Sequence, residues 1–217
     1  MNGLIYGYGE VGQALFKILR QFYPTGYIDL AISCEIPETV DILHICFGYS
    51  KEFIEDVKKY QEKYHPKFTI IHSTVPVGTS WELGAIHSPI SGLHPNLESG
   101  IKTFPKFLGG NNTSEVADYF RKAGLKVILY DDSDTTEAMK LFDTEYYKTC
   151  IEFAQRVKRY CDSHGLNFHE VYTLWNQEYN KGYAELGHSE FIRPILQPIM
   201  KPIGGHCLVP NSKLLNE

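Results

Sequence analysis

The sequence predicts an α/β protein in which a doubly wound parallel sheet precedes a helical segment. Short apolar runs alternate with helical patterns from the first residues to about residue 130, which is the order that strand–helix–strand units produce. A glycine-rich turn at 7–12 separates the first apolar run from the first helical pattern. After residue 134 the alternation stops, and one long amphipathic pattern begins.

The first predicted unit consists of a strand, the glycine-rich turn and a helix. Residues 3–6 are apolar, and a helical face of apolar residues starts at Val11. Residues 24–26 are a predicted turn, and we expect the second strand at 27–32. The apolar run at 40–47 is typical of a parallel strand that is buried on both faces. Because too few residues separate these two strands for a helix and a further strand, we expect an abbreviated sheet.

The alternation continues through the rest of the first domain. The stretch at 86–105 contains several glycines and prolines, and we expect it to be irregular. The other predicted elements are a helix at 52–65, a strand at 68–72, a turn at 73–79, a strand at 106–109, a helix at 114–123 and a strand at 126–130.

We place the domain division near residue 134, which gives domains at 1–134 and 135–217. Residues 136–164 are predicted to form one helix with two adjacent apolar rows. An apolar band of that width indicates a helix that is buried on two sides, in a core and in an interface. A further helix is expected at 168–178. The long helix therefore predicts an interface as well as a core contact.

The composition excludes several classes of protein. The 217 residues are 43% hydrophobic, which excludes a disordered chain and a small disulfide-stapled domain. The net charge is −5 and no long basic run occurs, so we do not expect a nucleic-acid-binding protein. No apolar stretch is long enough to span a membrane, and the N-terminus lacks the features of a secretory signal. We therefore expect a cytoplasmic protein.

The cysteines and histidines do not predict a metal site. None of the five cysteines forms a CxxC pair, and the histidines show neither HxH nor HxxxH spacing. We expect reduced thiols and no bound metal.

The glycine-rich turn has the GxGxxG pattern of a dinucleotide-binding loop in a Rossmann-like domain. Its residues are Gly7, Tyr8, Gly9, Glu10, Val11 and Gly12. The first glycine allows the tight turn, the second lets a pyrophosphate approach the backbone, and the third lets the helix pack on the strand. The N-terminus of the following helix favours the anionic phosphates. The alternative is a glycine turn that serves packing alone.

Asp29 is the predicted partner of the cofactor's ribose. It lies 22 residues after Gly7, where a carboxylate bonds the ribose 2′-hydroxyl. No arginine follows it closely, so NAD is favoured over NADP. S-adenosylmethionine, another adenosine ligand, remains the alternative.

Two further strand ends are expected beside the cofactor. Phe47 and Gly48 end the third strand and should flank the adenosine ribose, the alternative being a packing turn. Ser73 and Thr74 end the next strand, at the edge of an α/β sheet where the cofactor crevice lies. We expect them to contact the ribose or the nicotinamide, and the alternative is a turn or a helix cap.

Three motifs resemble those of the UDP-glucose/GDP-mannose dehydrogenase family, in the same order. STVPVGT at 73–79 is similar to the family's STVPPGT turn, and TEAMKL at 136–141 is similar to its AELxKL segment. GGHCL at 204–208 is similar to the segment that carries the family's nucleophilic cysteine, and it is the most specific of the three. The likeness extends from residue 1 to about residue 212.

The resemblance implies an NAD-binding domain, a long dimerising helix and the oxidation of an alcohol by hydride transfer. Cys207 would be the nucleophile that attacks an aldehyde intermediate, and Lys140 would stabilise negative charge on the substrate oxygen. The family has an asparagine where this sequence has Thr144. The family also continues into a second α/β domain that this sequence does not contain, so we expect a substrate other than a UDP-sugar.

His94 and Asn96 complete the predicted catalytic set. Asn96 stands closest to the position of a glutamate that assists the family's chemistry, and it can orient water but cannot take a proton. GLHP at 92–95 resembles, more weakly, the GxHP segment of prephenate dehydrogenases, which makes His94 a candidate general base or carboxylate ligand. The alternatives are a turn residue at His94, a solvated lysine at Lys140 and an inert thiol at Cys207.

The sequence thus predicts an NAD-dependent oxidoreductase that acts on a small-molecule alcohol. Two other classes stay open, namely an S-adenosylmethionine-dependent methyltransferase and a nucleotide-binding protein without catalytic activity.

Overall fold

Seven strands form one sheet in the described part of the chain. The computed structural model describes residues 1–30, 32–201, 203 and 208–215. The strands are β1 Gly3–Tyr6, β2 Thr25–Ile28, β3 Ile42–Ile45, β4 Phe68–Ile71, β5 Ile86–His87, β6 Lys106–Gly109 and β7 Val127–Tyr130. They lie in the order β2-β1-β3-β4-β5-β6-β7, and every neighbouring pair is parallel except β5 with β6.

Helices alternate with the strands and continue after them. The α-helices are α1 Glu10–Leu19, α2 Phe53–Tyr64, α3 Thr79–Glu82, α4 Leu97–Thr103, α5 Thr113–Lys122, α6 Ser133–His164, α7 Trp175–Glu185 and α8 Leu208–Leu214. A π-helix at His169–Leu174 and a 3₁₀ helix at Ser189–Phe191 complete the described helices. This alternation confirms the predicted α/β class with a doubly wound sheet.

The two faces of the sheet carry separate apolar cores. Successive strand residues point to opposite faces, so Leu4 and Ile5 belong to different cores. One core joins Ile5 to α1, α4 and α5, and the other joins Leu4 to Phe53 and Val57 of α2. All four residues of β3 are buried, as a central parallel strand requires.

The sheet is shortened, as predicted, at the connection between β2 and β3. No helix occurs among the described residues between β2 and β3, and β2 is one of the two edge strands of the sheet. The chain turns back beside this edge, where the Cys34 amide donates to the Tyr27 carbonyl and Ser33 bridges Ile28. The outer edge of β2 therefore pairs with a short segment of the returning chain, where a longer sheet would have a further strand.

Several element boundaries differ from the sequence-based expectations. The second strand begins at Thr25, because Thr25 and Gly26 pair with β1 and the close approach of the Glu35 carbonyl favours glycine at 26. The stretch at 86–105 is less irregular than expected, since it contains β5 and α4. The helix expected at 168–178 starts as the π-helix and continues through α7 to Glu185.

The chain forms two compact units. The first runs from Met1 to Leu141, and the second begins at Phe142. Within the second unit, Gln155 of α6 donates to the carbonyls of Ile199 and Lys201, and Lys148 donates to Ser212 of α8. No helix in the described residues is both long and apolar enough to cross a membrane.

Candidate nucleotide-binding and catalytic site

The glycine loop between β1 and α1 has a distinct role for each glycine. Gly7 has φ +94°, and a Cβ there would lie 2.8 Å from the Phe47 amide nitrogen. A Cβ on Gly12 would lie 2.0 Å from the Gly7 carbonyl oxygen, so only glycine lets the helix approach the loop this closely. A Cβ on Gly9 would meet no atom within 4 Å. The space above Gly9 is therefore open, and the first-turn amides of α1 lack intrahelical acceptors by helix geometry.

Asp29 holds the glycine loop as well as standing at the predicted ribose position. Its carboxylate accepts hydrogen bonds from the backbone amides of Tyr8 and Leu30, one on each oxygen. A carboxylate has about four acceptor positions, so Asp29 keeps capacity for a hydroxyl donor. The loop and the end of β2 are thus tied together at the point where the sequence places the ribose.

The side chain of Tyr8 points away from the phosphate position. Its ring stacks on Tyr27 with centroids 3.5 Å apart, and both rings line a 710 Å³ cavity along β2. That cavity shares Tyr8 with the glycine loop but includes neither Gly9 nor Ser73, so it adjoins only one end of the predicted cofactor site. Val11 packs against the core and contributes its backbone to the loop.

His94 lies beside the glycine loop. Its Nδ1 is paired with the carboxylate of Glu10, in the first turn of α1, and both side chains are about half exposed. The pairing sets an imidazole next to the only acidic side chain of the loop. Asn96 is exposed at the start of α4, and among the described residues its carbonyl receives hydrogen bonds from Ser99 and Gly100. Neither of these hydrogen bonds joins Asn96 to another predicted site residue.

The carboxyl ends of β3 and β4 are joined directly. The Ser73 hydroxyl donates to the carbonyl of Phe47. The Phe47 ring packs between Tyr6 and Phe53, so the residue offers its backbone to this crevice. Gly48 is exposed, and a Cβ there would meet nothing within 4 Å. Phe47, Gly48 and Ser73 therefore lie together at the carboxyl ends of β3 and β4.

Glu137 joins the turn at 73–79 to the start of α6. Its carboxylate accepts hydrogen bonds from the Gly78 amide at 2.7 Å and the Ser80 amide at 2.8 Å. Burial raises the pKa of Glu137, and the hydrogen bonds from Ser80 and Gly78 oppose that rise. Two of the three motifs that resemble the dehydrogenase family thus meet through this one side chain.

His87 makes a second link between the same two segments. Its Nε2 lies 3.2 Å from the Ser73 carbonyl oxygen, and its Nδ1 lies 2.9 Å from Thr136 Oγ1. Lys140, a half-buried residue, lies one turn further along α6, and its charge lowers the pKa of His87. Ser73, His87, Thr136 and Lys140 therefore form one group at the carboxyl ends of β4 and β5.

A buried chain of polar groups crosses the sheet beneath this group. His44 Nδ1 lies 3.0 Å from His72 Nε2, and His44 Nε2 lies 3.3 Å from the Tyr119 hydroxyl. His72 Nδ1 lies 2.8 Å from the Ser88 carbonyl, to which Lys106 Nζ also donates at 2.8 Å. Burial lowers the pKa of Lys106 to about 7, and burial with the nearby Lys106 charge lowers the pKa of His44 to about 3.

The second unit contains a cavity of its own. It has a volume of about 240 Å³ and is lined by side chains that include Cys150, Asn176 and Arg193. The Arg193 guanidinium lies 3.5 Å from the centre of the Tyr179 ring, which holds it in place. Thr144, at the position of the family's asparagine, is buried in this unit.

Cys207 and the rest of its GGHC segment lie outside the described residues. The sequence reasoning missed His87, Thr136 and Glu137 as site residues. Thr136 and Glu137 stand inside the TEAMKL motif, which was a usable signal. No sequence signal pointed to His87, since it is a single histidine in a stretch that we expected to be irregular. Within the described chain, no group of three or more His, Cys, Asp and Glu side chains could hold a metal ion.

Comparison with known proteins confirms the fold. No protein-family model and no curated protein match the sequence. Among solved structures, a UDP-D-ManNAc dehydrogenase from Pyrococcus horikoshii aligns with TM-score 0.78 and 15% identity, covering 99% of this chain and 64% of its own. An NDP-N-acetyl-D-galactosaminuronic acid dehydrogenase from Methanosarcina mazei Go1 aligns with TM-score 0.71 and 14% identity, over 99% of this chain and 60% of its own.

A 3-hydroxyisobutyrate dehydrogenase from Mycobacterium tuberculosis also aligns, with TM-score 0.62 and 13% identity, over 80% of this chain and 69% of its own. This chain therefore spans about 60–64% of the length of the two sugar-nucleotide enzymes. The predicted resemblance to UDP-sugar dehydrogenases is confirmed at the level of the fold.

Proposed function

We propose that this chain is an NAD-dependent oxidoreductase that oxidises a small-molecule alcohol by hydride transfer. The observation that carries the proposal is the glycine loop, in which Gly7 and Gly12 are sterically required and Gly9 faces open space. A loop of this kind suits the pyrophosphate of a dinucleotide, and its position at the carboxyl end of β1 suits a cofactor crevice. The shared fold with several dehydrogenases supports the same conclusion.

The residues present fit NAD. Gly9 and the first turn of α1 would hold the pyrophosphate, Asp29 would accept from the adenosine ribose, and Ser73 with Thr74 would lie towards the nicotinamide. NAD⁺ supplies the hydride acceptor when bound. The negative charge of Asp29 disfavours a ribose 2′-phosphate, which supports NAD over NADP.

Lys140 is the proposed stabiliser of negative charge on the substrate oxygen. It follows Thr136 by one helical turn, and Thr136 is tied through His87 to Ser73. A lysine ammonium is a compact cation that stabilises an alkoxide-like oxygen. His94, or a water oriented by Asn96, is the proposed acceptor of the hydroxyl proton.

Cys207 is the proposed nucleophile for a second oxidation. Its thiolate would add to the carbonyl carbon of the aldehyde, a second NAD⁺ would accept the hydride, and water would release the acid from the resulting thioester. We expect the C207A variant to lose acid formation and to retain NADH binding. Unchanged acid formation in C207A would remove this step from the proposal.

The direct test is turnover of alcohols with NAD⁺, and UDP-N-acetylmannosamine, the substrate that the name of the Pyrococcus enzyme implies for that protein, is the comparison that we expect not to be oxidised. A panel of 3-hydroxy acids and simple sugar alcohols runs beside it. We expect NADH formation with at least one alcohol, and a loss of at least 100-fold in K140A. Binding of NADH without turnover of any alcohol would favour a nucleotide-binding protein without catalytic activity.

A thermal-shift panel separates the cofactors. A ligand at 100 times its dissociation constant adds about 2.7 kcal/mol, which raises the Tm of a chain of this size by about 5–10 °C. We expect such a rise with NAD⁺ and NADH and a smaller one with NADP⁺. A rise with S-adenosylmethionine alone would contradict the oxidoreductase proposal and favour a methyltransferase.

A further inference from the structure

We propose that His87 is a positioning residue that sets the cofactor turn and the lysine-bearing helix α6 in register with each other. The inference rests on the proposed function for its catalytic meaning, and on the geometry of the described residues for the positioning itself. It assigns to His87 two separable tasks, one for each ring nitrogen.

His87 occupies the junction of three elements. It is the last residue of β5, it is fully buried, and it lies between the end of β4 and the start of α6. On one side its Nε2 faces the carbonyl oxygen of Ser73, and on the other its Nδ1 faces the hydroxyl of Thr136. Each neighbour belongs to a segment that the proposed function assigns to the site.

The direction of both hydrogen bonds follows from the chemistry of the partners. A carbonyl oxygen can only accept, so Nε2 carries the proton that is donated to Ser73. Burial lowers the pKa of His87 to about 3, so at neutral pH the imidazole holds a single proton. Nδ1 is therefore the acceptor, and it takes the hydroxyl proton of Thr136. The same hydroxyl also lies 2.9 Å from the Ser133 carbonyl oxygen. Because the hydroxyl has a single proton, it does not donate to Ser133 while it donates to Nδ1.

The same facts exclude His87 as a proton acceptor in the reaction. Both ring nitrogens are engaged, and the charges of Lys106 and Lys140 add to burial in keeping the imidazole neutral. What His87 supplies is a fixed distance between two backbone segments. A buried, fully paired imidazole is suited to this because its ring is rigid and its two nitrogens point apart.

His87 makes two hydrogen bonds, which we call its Ser73 arm and its Thr136 arm, and they act on different parts of the site. Ser73 is held at its hydroxyl by Phe47 and at its carbonyl by His87, so the Ser73 arm fixes the proposed cofactor turn. Thr136 lies one helical turn before Lys140, so the Thr136 arm fixes the direction from which the lysine approaches. Glu137 forms a parallel link to Gly78 and Ser80, which keeps the segments together when one arm of His87 is removed.

Two conservative variants separate the arms. In H87N, the side-chain oxygen can take the place of Nδ1 and keep the bond to Thr136, while the bond to Ser73 is lost. In H87Q, the side-chain amide can take the place of Nε2 and keep the bond to Ser73, while the bond to Thr136 is lost. T136V removes the same arm as H87Q from the opposite side, and T136S restores it.

We expect H87N to weaken NADH binding about tenfold while kcat at saturating NAD⁺ stays within about twofold. H87Q and T136V should lower kcat about tenfold and leave the NADH affinity within about twofold of wild type. T136S should be close to wild type in both quantities. A residue with a merely structural role would change binding and kcat together in all three variants, and that result would overturn the proposal.

Amide hydrogen exchange without nucleotide gives a readout that does not depend on activity. We expect faster exchange at 73–79 alone in H87N and at 133–140 alone in H87Q and T136V. Equal changes in both segments, or none, would overturn the positioning role. If wild type binds no NADH, the proposed function fails, and the exchange pattern still decides whether His87 positions the two segments.

Discussion

Three histidines are fully buried in the first unit, and their burial sets how this unit responds to acid. His44 and His72 contact each other, and His87 bridges Ser73 and Thr136. Burial is the main cause that lowers the pKa of each, to about 3 for His44 and His87. In the unfolded chain the pKa of a histidine is about 6.5, so unfolding takes up protons between these values.

We expect the free energy of unfolding to fall as the pH is lowered from about 6.5 towards 3. The unfolded state binds more protons than the folded state in this window, so the contribution of the neutral histidines to stability is fully present above pH 6.5 and is lost as the pH approaches their folded pKa. Each such histidine contributes about 1.4 kcal/mol per pH unit.

Urea unfolding of wild type and H44Q at several pH values between 4 and 6 measures this contribution. H44Q should reduce the slope of stability against pH by about 1.4 kcal/mol per pH unit. The surface variant H65Q, at a position exposed to solvent, is the matched control for the substitution itself. An identical slope in wild type and H44Q would show that His44 is not held neutral in the folded protein.

Site residues could be predicted where they belong to a short sequence motif with a known spacing. The glycine loop and Asp29 lie close in sequence and follow known spacings, so their joint placement was predictable. The partner of His94 was not, because Glu10 lies 84 positions away and no local pattern relates the two. The link from His87 to Thr136 likewise spans 49 positions and depends on how the sheet and α6 come together.

The strand–loop–helix element at the start of the chain makes a sharp prediction about its glycines. We expect G12A to destabilise the protein by about 1–3 kcal/mol, because the new methyl group would collide with the Gly7 carbonyl. G9A should cost less than about 1 kcal/mol, since its methyl group enters open space at a helix N-cap.

Thermal unfolding of the two variants without ligand tests this difference. Equal Tm values for G12A and G9A would contradict the packing role of Gly12 in the glycine loop. The comparison also establishes whether G9A is folded, which makes it usable in binding experiments.

Elements with a strong apolar period were the most predictable. The buried strand β3 and the amphipathic helix α1 have the expected type and position. α4 was missed because its seven residues include Gly100 and lie in a stretch of prolines and glycines that hides the helical pattern. The start of β2 was missed because the sequence Pro24-Thr25-Gly26 suggests a turn, whereas pairing with β1 dominates there.

At the scale of the whole molecule, α6 leaves aromatic side chains uncovered. Phe142, Tyr146, Phe153 and Tyr160 are all 47–64% exposed, and they recur at steps of four and seven along the helix. An exposed apolar row of this length typically marks an interaction surface. The row supports the predicted homodimer, which remains a prediction.

We expect sedimentation analysis to give a dimer for wild type, and a monomer for the double variant Y146E/F153E. Charge on this row would oppose burial of the aromatic side chains in an interface. R159E, which changes charge at an exposed position on another side of the helix, should remain dimeric. A monomeric wild type at micromolar concentration would contradict the predicted assembly.

The fold class could be predicted from the order of elements, and the abbreviation from the short connection between β2 and β3. Substrate identity could not, because the residues that recognise a substrate are brought together from distant parts of the chain. The likeness to longer dehydrogenases extends over 99% of this chain but only 64% of the Pyrococcus enzyme. All residues of the proposed cofactor site belong to the first unit, so that site can be tested without knowledge of the substrate.

The proposed function depends first on the binding of NAD by the glycine loop. Calorimetric titration of NADH into wild type, G9A and the control G182A measures it directly, because a methyl group at Gly9 occupies the proposed pyrophosphate space whereas one at Gly182 lies in α7. We predict saturable binding of one NADH per chain to wild type and G182A, at least tenfold weaker binding to G9A, and weaker binding of NADPH throughout. No binding to wild type, or equal binding to wild type and G9A, would contradict the account.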